Sequence, residues 1–201
     1  MNRKEFLQDT FKGFVAALTI PYFSKLIHAK TAADPVAKPA APADDKPQPP
    51  LTRPELIAAA REIIASQTYC ALITQDADGR PQIRTMNPFP PEDDMTVWIA
   101  TSTQTRKAQH LRNNPNVTLY YSNHAQAIGY VAITGHADLI DDRAEMIKRK
   151  RAYWDQAFPG FKNLVLIKVT PERLDVINYK AGALNDPQTW RSPSVDFKKA
   201  S

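Results

Sequence analysis

Residues 101–107 combine hydroxyl and cationic side chains where a strand is expected to turn into a helix, in the order Thr-Ser-Thr-Gln-Thr-Arg-Lys. Cations in the first turn of a helix meet the positive end of its dipole, which costs about 0.3–1 kcal/mol at a surface site. A bound anion reverses the sign of that interaction. Because a helix start also offers free backbone N–H groups, Arg106 and Lys107 predict a phosphate site there, together with the hydroxyl groups of Thr101, Ser102, Thr103 and Thr105.

Arg84 is a further cation in an unusual place, the middle of a strand predicted at residues 82–86. It could supply a second guanidinium group to the same phosphate. Any one of Arg84, Arg106 and Lys107 alone would be interpreted as a solvated surface charge, but the combination favours a bound phosphate. These residues do not identify which phosphate compound binds.

The chain lacks the motifs of several other common sites. Its six glycines are too far apart for Gly-x-Gly-x-x-Gly or a Walker A loop, which excludes the usual glycine-loop nucleotide sites. Cys70 is the single cysteine, so neither an intramolecular disulfide nor a cysteine-rich zinc site can form. The four histidines are too scattered for a His-x-x-x-His motif, and no metal site is expected.

Composition indicates one folded domain with flanking segments. The chain has 201 residues, 43% of them apolar, a net charge of +5 and 17 prolines. Six prolines fall within residues 34–51, which predicts an extended linker there, a folded barrel over residues 52–180 and a tail over residues 181–201. The basic run 148–151 has acidic neighbours and no interleaved aromatic residues. It is therefore interpreted as a solvated helix face, and no nucleic-acid partner is expected.

The apolar periodicity predicts several short strands and only three helices. Thr52 and Glu55 have the spacing of a capping box, which places a helix at residues 53–66, and further helices are predicted at 103–113 and 142–158. The predicted strands are 69–74, 82–86, 96–100, 117–121, 130–140, 164–169 and 173–177. An Asp-Gly pair at residues 78–79 predicts a hairpin between the first two. Because few helices separate the strands, this pattern indicates an antiparallel barrel of the α+β class, mainly β with peripheral helices.

The order of motifs resembles the pyridoxamine 5'-phosphate oxidase-like flavin-binding split barrels, and within them the general stress protein branch. The motifs are Gly79-x-Pro81-x-x-Arg84, Val97-Trp98-Ile99-Ala100-Thr101, Arg106-Lys107-x-x-x-Leu111-x-x-Asn114-Pro115-x-Val117 and Val131-x-Ile133-x-Gly135. The resemblance covers about residues 55–179. It implies a six-stranded antiparallel split β-barrel that forms a homodimer and holds FMN in a groove between the two barrels.

The resemblance also implies which residues contact the phosphate end of the cofactor. Arg84 and Thr85 match positions near the ribityl phosphate of the flavin, and Arg106 and Lys107 match the phosphate-binding pair. This assignment agrees with the phosphate site that the helix start and its cations predict independently.

Contacts to the flavin ring are implied at other positions. Ala100 and Thr101 match the strand end whose backbone lies along the isoalloxazine ring. Tyr130 stands where the oxidases have a glutamine on the flavin, and a tyrosine could stack or donate a hydrogen bond there. In the C-terminal tail, Trp190 is predicted to close over the flavin or the dimer partner, the alternative being that it packs on its own barrel.

One departure from the family bears on activity. The pyridoxamine phosphate oxidases carry an Arg-x-His motif near the C-terminus, and none follows Asn178 here, so that reaction is not expected. The resemblance then implies an FMN-dependent oxidoreductase with an unidentified small-molecule substrate or electron donor. A non-catalytic carrier of flavin, haem or another cofactor is the competing hypothesis. His124 is a candidate proton donor, although a single loop histidine is more often a surface residue.

The N-terminus has the pattern of an export signal. A basic start, an uncharged stretch too short for a stable bilayer span and a small-residue site before Asp34 predict a signal peptide over residues 1–33, with an amphipathic helix or anchor as the alternative. The run Asn-Arg-Lys-Glu-Phe-Leu at residues 2–7 resembles a twin-arginine signal in which Lys4 replaces the second arginine. A periplasmic or otherwise exported protein is expected, or a cytoplasmic one if this segment is not a signal.

Overall fold

A computed structural model describes residues 50–197, so the predicted signal peptide and nearly all of the predicted linker lie outside the described residues. The helices are α1 (Arg53–Ala65), α2 (Arg106–Asn113), α3 (Arg143–Lys148) and α4 (Trp154–Ala157), and a 3₁₀ turn spans Pro159–Phe161. The strands are β1 (Cys70–Gln75), β2 (Pro81–Met86), β3 (Val97–Ser102), β4 (Asn116–Ser122), β5 (Gly129–Ile140), β6 (Leu164–Asn178) and β7 (Ser194–Asp196).

All strand pairs in the sheet are antiparallel. Six strands follow the order β2-β1-β4-β5-β6-β3, and the short β7 pairs with the second half of β6. The predicted α+β, mainly β class and the split barrel are confirmed, with β7 as an addition. The two edges of the six-stranded path are β2 and β3. A bridge between Pro88 and Ile99 brings the segment after β2 alongside β3.

The helix before the barrel begins as predicted. The carboxylate of Glu55 accepts hydrogen bonds from the backbone N–H and the hydroxyl of Thr52, at 2.7 and 2.6 Å. The buried face of α1 joins the inward side chains of the strands in the main core. Its members are Leu56, Ala59, Ala60, Ile63 and Ile64. Within residues 50–197, no helix is long and apolar enough to cross a membrane.

The single helix predicted over residues 142–158 is wrong. Asp142 caps α3 by accepting hydrogen bonds from the N–H groups of Ala144 and Glu145, but α3 ends at Lys148 and α4 begins only at Trp154. The helix breaks because Arg149 turns inward, stacks 3.8 Å from the ring centroid of Trp98 and forms ion pairs with Glu92 and Glu145. Its side chain is only 9% exposed, so the predicted solvated helix face is also wrong at this position.

The two strands predicted at 164–169 and 173–177 form one continuous strand, β6. Pro171 lies between the two predicted strands and has no N–H to donate to a neighbouring strand. The pairing of β5 with β6 accommodates it with a register shift between Thr134 and Gly135, which face Arg173 and Pro171. Gly135 allows the backbones to approach closely, since a Cβ there would lie 2.2 Å from the carbonyl oxygen of Thr170.

Candidate functional site

The start of α2 differs slightly from the sequence prediction and places both cations in its first turn. The helix begins at Arg106, three residues later than predicted, because Thr105 has an extended backbone and donates from its N–H and its hydroxyl to the carbonyl of Ser102. Arg106 and Lys107 are therefore the first two helical residues, and the first turn contains no acidic side chain. The backbone N–H groups of such a turn have no acceptor within the helix.

Lys107 is held by a hydroxyl group at the end of β3. Its ammonium group donates to Oγ1 of Thr101 at 3.0 Å, and Thr101 is only 5% exposed. Thr101 lies on the same inward side of β3 as Val97 and Ile99, because side chains alternate along a strand. This contact fixes the position of the cation without neutralising its charge.

Arg84 is held in the same way by a threonine on the neighbouring strand. Its Nη1 donates to Oγ1 of Thr74 at 2.8 Å, and Thr74 is only 1% exposed. In the β1–β2 register Thr74 faces Gln82, so Arg84 is its diagonal neighbour, which a long side chain can reach. Oγ1 of Thr74 also lies 3.1 Å from Nδ1 of His110 on α2, which links the strand pair to the helix.

The electrostatics of the site show that the three cations share one region. Burial lowers the pKa of Arg84, and the charge of Arg106 lowers it further. The pKa of Lys107 is likewise lowered, first by burial and then by the charge of Arg84. In the part of the chain that the structure describes, no carboxylate forms an ion pair with any of the three. The site thus concentrates positive charge that an anion would stabilise.

Two members of this cluster, Thr74 and His110, were not predicted from the sequence. Thr74 occupies an ordinary strand position, where threonine is common. His110 carried one usable signal, because it follows Arg106 by four residues and Lys107 by three, the spacing that places side chains on one face of a helix.

The family assignment follows from a sequence comparison. The profile described as pyridoxamine 5'-phosphate oxidase matches residues 56–178, which include all three cations and both threonines that hold them. The chain belongs to this family.

Similar proteins agree with the assignment. General stress protein 26 of Bacillus subtilis (strain 168) is 32% identical over 108 residues, which cover 50% of this chain and 73% of that protein. The crystal structure of general stress protein 26 from Bacillus anthracis strain Sterne has a TM-score of 0.54 and 26% identity, covering 61% of this chain and 94% of that one. A heme binding protein from Mycobacterium smegmatis has the same TM-score at 14% identity, with coverages of 73% and 60%, and shares the fold.

Two of the flavin contacts that the resemblance implies, Thr85 and Ala100, are sequence neighbours of residues in the cation cluster. Thr85 follows Arg84 on β2, but its side chain is exposed on the opposite face of the strand. The two residues are neighbours in the backbone, and their side chains point in opposite directions. The side chain of Ala100 packs against a second apolar cluster beneath α3 and α4. The carbonyl of Trp98 accepts from Phe89 at the outer edge of β3, and alternation directs the backbone groups of Ala100 to the same edge.

The other two flavin contacts implied for this family member lie outside the cation cluster. Tyr130 is half-buried and packs against Tyr120, with ring centroids 5.6 Å apart. Trp190 is 77% exposed, and among residues 50–197 its ring makes no aromatic or cation–π contact. Phe197 in the same tail does pack on the core, beneath Arg53. Within residues 50–197 of this chain, Tyr130 and Trp190 are therefore not brought together with the cation cluster.

Two cavities lie at the start of β1 and the end of β4, away from the ends of these strands that lie near the cations. One has a volume of about 410 Å³ and is lined by α1, the segment after β2 and Tyr121. The other, about 480 Å³, includes the candidate proton donor His124, which is exposed and 3.3 Å from the hydroxyl of Ser122. Neither cavity is lined by Arg84, Arg106 or Lys107. Over the described range 50–197, no three histidine, cysteine or acidic side chains are grouped to bind a metal.

Proposed function

We propose that this protein binds FMN and that Arg84, Arg106 and Lys107 hold the flavin phosphate. The observation that carries the proposal is the meeting of three cations, without a carboxylate partner in the described chain, at the start of α2. Membership in the pyridoxamine 5'-phosphate oxidase family supports FMN as the phosphate compound.

A phosphate fits the chemistry of this cluster. Guanidinium and ammonium groups donate charge-assisted hydrogen bonds to phosphate oxygens, and the N–H groups of a helix start add further donors. Thr74 and Thr101 hold two of the cations through neutral oxygens, which leaves their positive charge for a ligand. Burial, and after it the repulsion between cations, lowers the pKa values of Arg84 and Lys107, and a bound dianion would offset both effects.

The rest of the cofactor would extend from the phosphate towards the edge of β3. The backbone of Ala100 and Thr101 would lie along the flavin ring, and Arg84 and Thr85 would lie near the ribityl chain. When bound, FMN supplies hydride or electron transfer, and the protein binds and orients it.

A homodimer would complete the site. The outer face of β1, β2, β4 and β5, which carries Ile83, Ile73, Tyr120 and Tyr130, presents exposed and half-buried apolar side chains. Ile83 is 69% exposed, and exposed apolar side chains on one sheet face are typical of an interface. In this arrangement Tyr130 and Trp190 of one protomer would contact the flavin held by the other protomer. This would explain why both residues lie outside the cation cluster of their own chain.

The activity that we propose is a flavin-dependent oxidation or reduction of a small molecule, with the substrate and electron donor left open. Oxidation of pyridoxamine phosphate itself is not proposed, because the chain has no Arg-x-His motif after Asn178.

A carrier that binds a cofactor without turnover is the second candidate. The heme binding protein of Mycobacterium smegmatis, which has the same fold, favours including haem among the possible ligands. Reduction of bound flavin by nicotinamide donors would distinguish an enzyme from a carrier. A strong Soret absorbance band in the purified protein would identify haem.

Export is a separate part of the proposal. The basic and apolar pattern of residues 1–33 supports delivery to the periplasm or beyond, by the general or the twin-arginine route. Sequencing the N-terminus of the protein from a cell fraction tests this directly. A mature chain that starts near Asp34 agrees with export, and a cytoplasmic chain that retains residues 1–33 contradicts it.

The decisive experiment is an FMN titration that compares two matched double variants. Arg106→Ala with Lys107→Ala removes two cations from the site, and Lys148→Ala with Lys162→Ala removes two exposed cations elsewhere. We expect the first variant to lose FMN affinity by at least about 100-fold, since charged hydrogen bonds contribute about 1.5–3 kcal/mol each. The second should bind as the parent protein does. Equal affinities of all three proteins would refute the assigned phosphate site.

A further inference from the structure

Three side chains from three elements form a continuous hydrogen-bonded chain behind the proposed phosphate site. Nη1 of Arg84 on β2 is 2.8 Å from Oγ1 of Thr74 on β1, and that oxygen is 3.1 Å from Nδ1 of His110 on α2. Thr74 is almost fully buried and His110 is half-buried. Ala108 and Leu111 are buried on the same helix and attach it to the barrel.

Only one of the two hydrogen-bond directions is fixed by the groups themselves. A guanidinium group only donates, so the oxygen of Thr74 accepts from Arg84. Between Oγ1 of Thr74 and Nδ1 of His110 either atom can be the donor, because the hydroxyl group has one proton and two lone pairs. His110 therefore holds the hydroxyl group of Thr74 in either tautomer.

We infer that Thr74 and His110 are positioning residues that hold Arg84 in the orientation needed to reach the flavin phosphate. Arginine has several rotatable bonds, and ordering it during binding would cost affinity. A buried hydroxyl group that is itself hydrogen-bonded to His110 fixes one Nη group in advance, and the remaining donors of the guanidinium group stay available. The inference rests on the proposed function, because it assigns these residues to the same phosphate.

The hydrogen-bonded chain of Arg84, Thr74 and His110, here called the relay, also explains why a cation on a strand can lie beside two others. Burial and the charge of Arg106 both disfavour a charged Arg84, as the lowered pKa of its guanidinium group indicates. A neutral acceptor at Thr74 stabilises the charged group locally without cancelling the charge that the ligand requires.

The test measures FMN and riboflavin affinities in paired variants. Thr74→Val keeps the shape of the side chain and removes the hydroxyl, whereas Thr74→Ser retains it. His110→Phe removes the ring nitrogen that contacts Thr74, whereas His110→Asn places a hydrogen-bonding amide group near the position of Nδ1. We expect Thr74→Val and His110→Phe to weaken FMN binding about five- to tenfold and to leave riboflavin binding within about twofold. Thr74→Ser and His110→Asn should restore FMN binding to within about twofold.

Other outcomes separate the inference from the proposed function. Equal losses for FMN and riboflavin, or no loss in Thr74→Val, would overturn the positioning role while leaving the phosphate site intact. If the parent protein itself does not prefer FMN to riboflavin, the proposed function fails and the relay has no ligand to serve.

A second measurement does not depend on any ligand. Nitrogen NMR of the imidazole rings reports the hydrogen bonding of each ring nitrogen, and the spectrum of His110→Phe identifies the His110 signals. We expect Thr74→Val to shift the Nδ1 signal of His110, because the partner of that nitrogen is removed. An unchanged Nδ1 signal in Thr74→Val would contradict the contact between Thr74 and His110.

Discussion

The ammonium group of Lys107 lies 3.0 Å from the hydroxyl oxygen of Thr101, which ties the first turn of α2 to the end of β3. A strand and the helix that follows it are thus joined by a cation that has no carboxylate partner in the described chain. The same arrangement occurs between Arg84 and Thr74. Both pairs place positive charge at one point of the barrel at the cost of burying a hydroxyl group.

Replacing Thr101 by valine should weaken FMN binding. The change preserves side-chain shape but releases Lys107, and the loss of one hydrogen bond to a charged group corresponds to about a tenfold lower affinity. Thr96→Val is the matched control, because Thr96 is also a buried threonine and lies immediately before β3, five residues from Thr101. Isothermal titration with FMN checks the prediction. A similar affinity change in both variants would show a general effect of core packing.

Cys70 should be unreactive in the folded protein. Burial raises the pKa of its thiol to about 12, so very little thiolate is present at pH 8. We expect iodoacetamide to modify the folded chain far more slowly than the chain in urea, which mass spectrometry measures. Rapid modification of the folded protein would contradict the buried position of this side chain.

The raised pKa of Cys70 also determines whether the free energy of unfolding rises or falls with pH. The unfolded thiol ionises near pH 9, whereas the folded one keeps its proton up to about pH 12. The folded state therefore binds more protons in this range, and the contribution of Cys70 to the free energy of unfolding decreases as the pH rises. Cys70→Ala should lose this part of the alkaline slope.

Gly135→Ala should destabilise the sheet strongly. Its Cβ would meet the carbonyl oxygen of Thr170 at 2.2 Å, within the backbone of β6, so the two strands must separate. We expect a loss of about 3 kcal/mol in the free energy of unfolding. Gly79→Ala is the control, since it has open space and only a left-handed backbone with φ of 76°, and should cost about 1 kcal/mol. Urea denaturation compares the two, and equal losses would contradict the close approach.

Trp190 provides a probe of cofactor and dimer contacts. It is 77% exposed, whereas Trp98 and Trp154 are buried, so acrylamide should quench mainly Trp190 in the protein without FMN. If this ring closes over the flavin, saturating FMN should protect it from acrylamide. Trp190→Phe should abolish both the quenchable emission and the protection. Unchanged quenching with FMN bound would remove Trp190 from the proposed site.

Sequence patterns predicted the parts of the fold that depend on local structure. The capping box at Thr52 and the Asp-Gly hairpin at residues 78–79 depend on neighbouring residues, and both are confirmed. The continuous strand β6 was missed because β6 tolerates Pro171 only through Gly135 on β5, which faces it at the register shift. The break after α3 was missed because Arg149 turns towards Trp98, which is distant in sequence.

In the candidate site, the cations were predictable because positive charge at a helix start and in mid-strand is unfavourable without a ligand. Thr74 and His110 were not, because only the pairing of β1 with β2 and the packing of α2 bring them to Arg84. Ring contacts at Tyr130 and Trp190 remain predictions that depend on a second copy of the chain.

The central claim is that the flavin phosphate is bound by Arg84, Arg106 and Lys107, and the ratio of riboflavin to FMN dissociation constants tests it most directly. The two ligands share the ring and the ribityl chain and differ only in the phosphate. We predict that the parent protein binds FMN at least about 100-fold more tightly than riboflavin at low ionic strength, with the preference decreasing as salt screens the charges. Equal dissociation constants for the two flavins, or no detectable binding of FMN, would contradict the account.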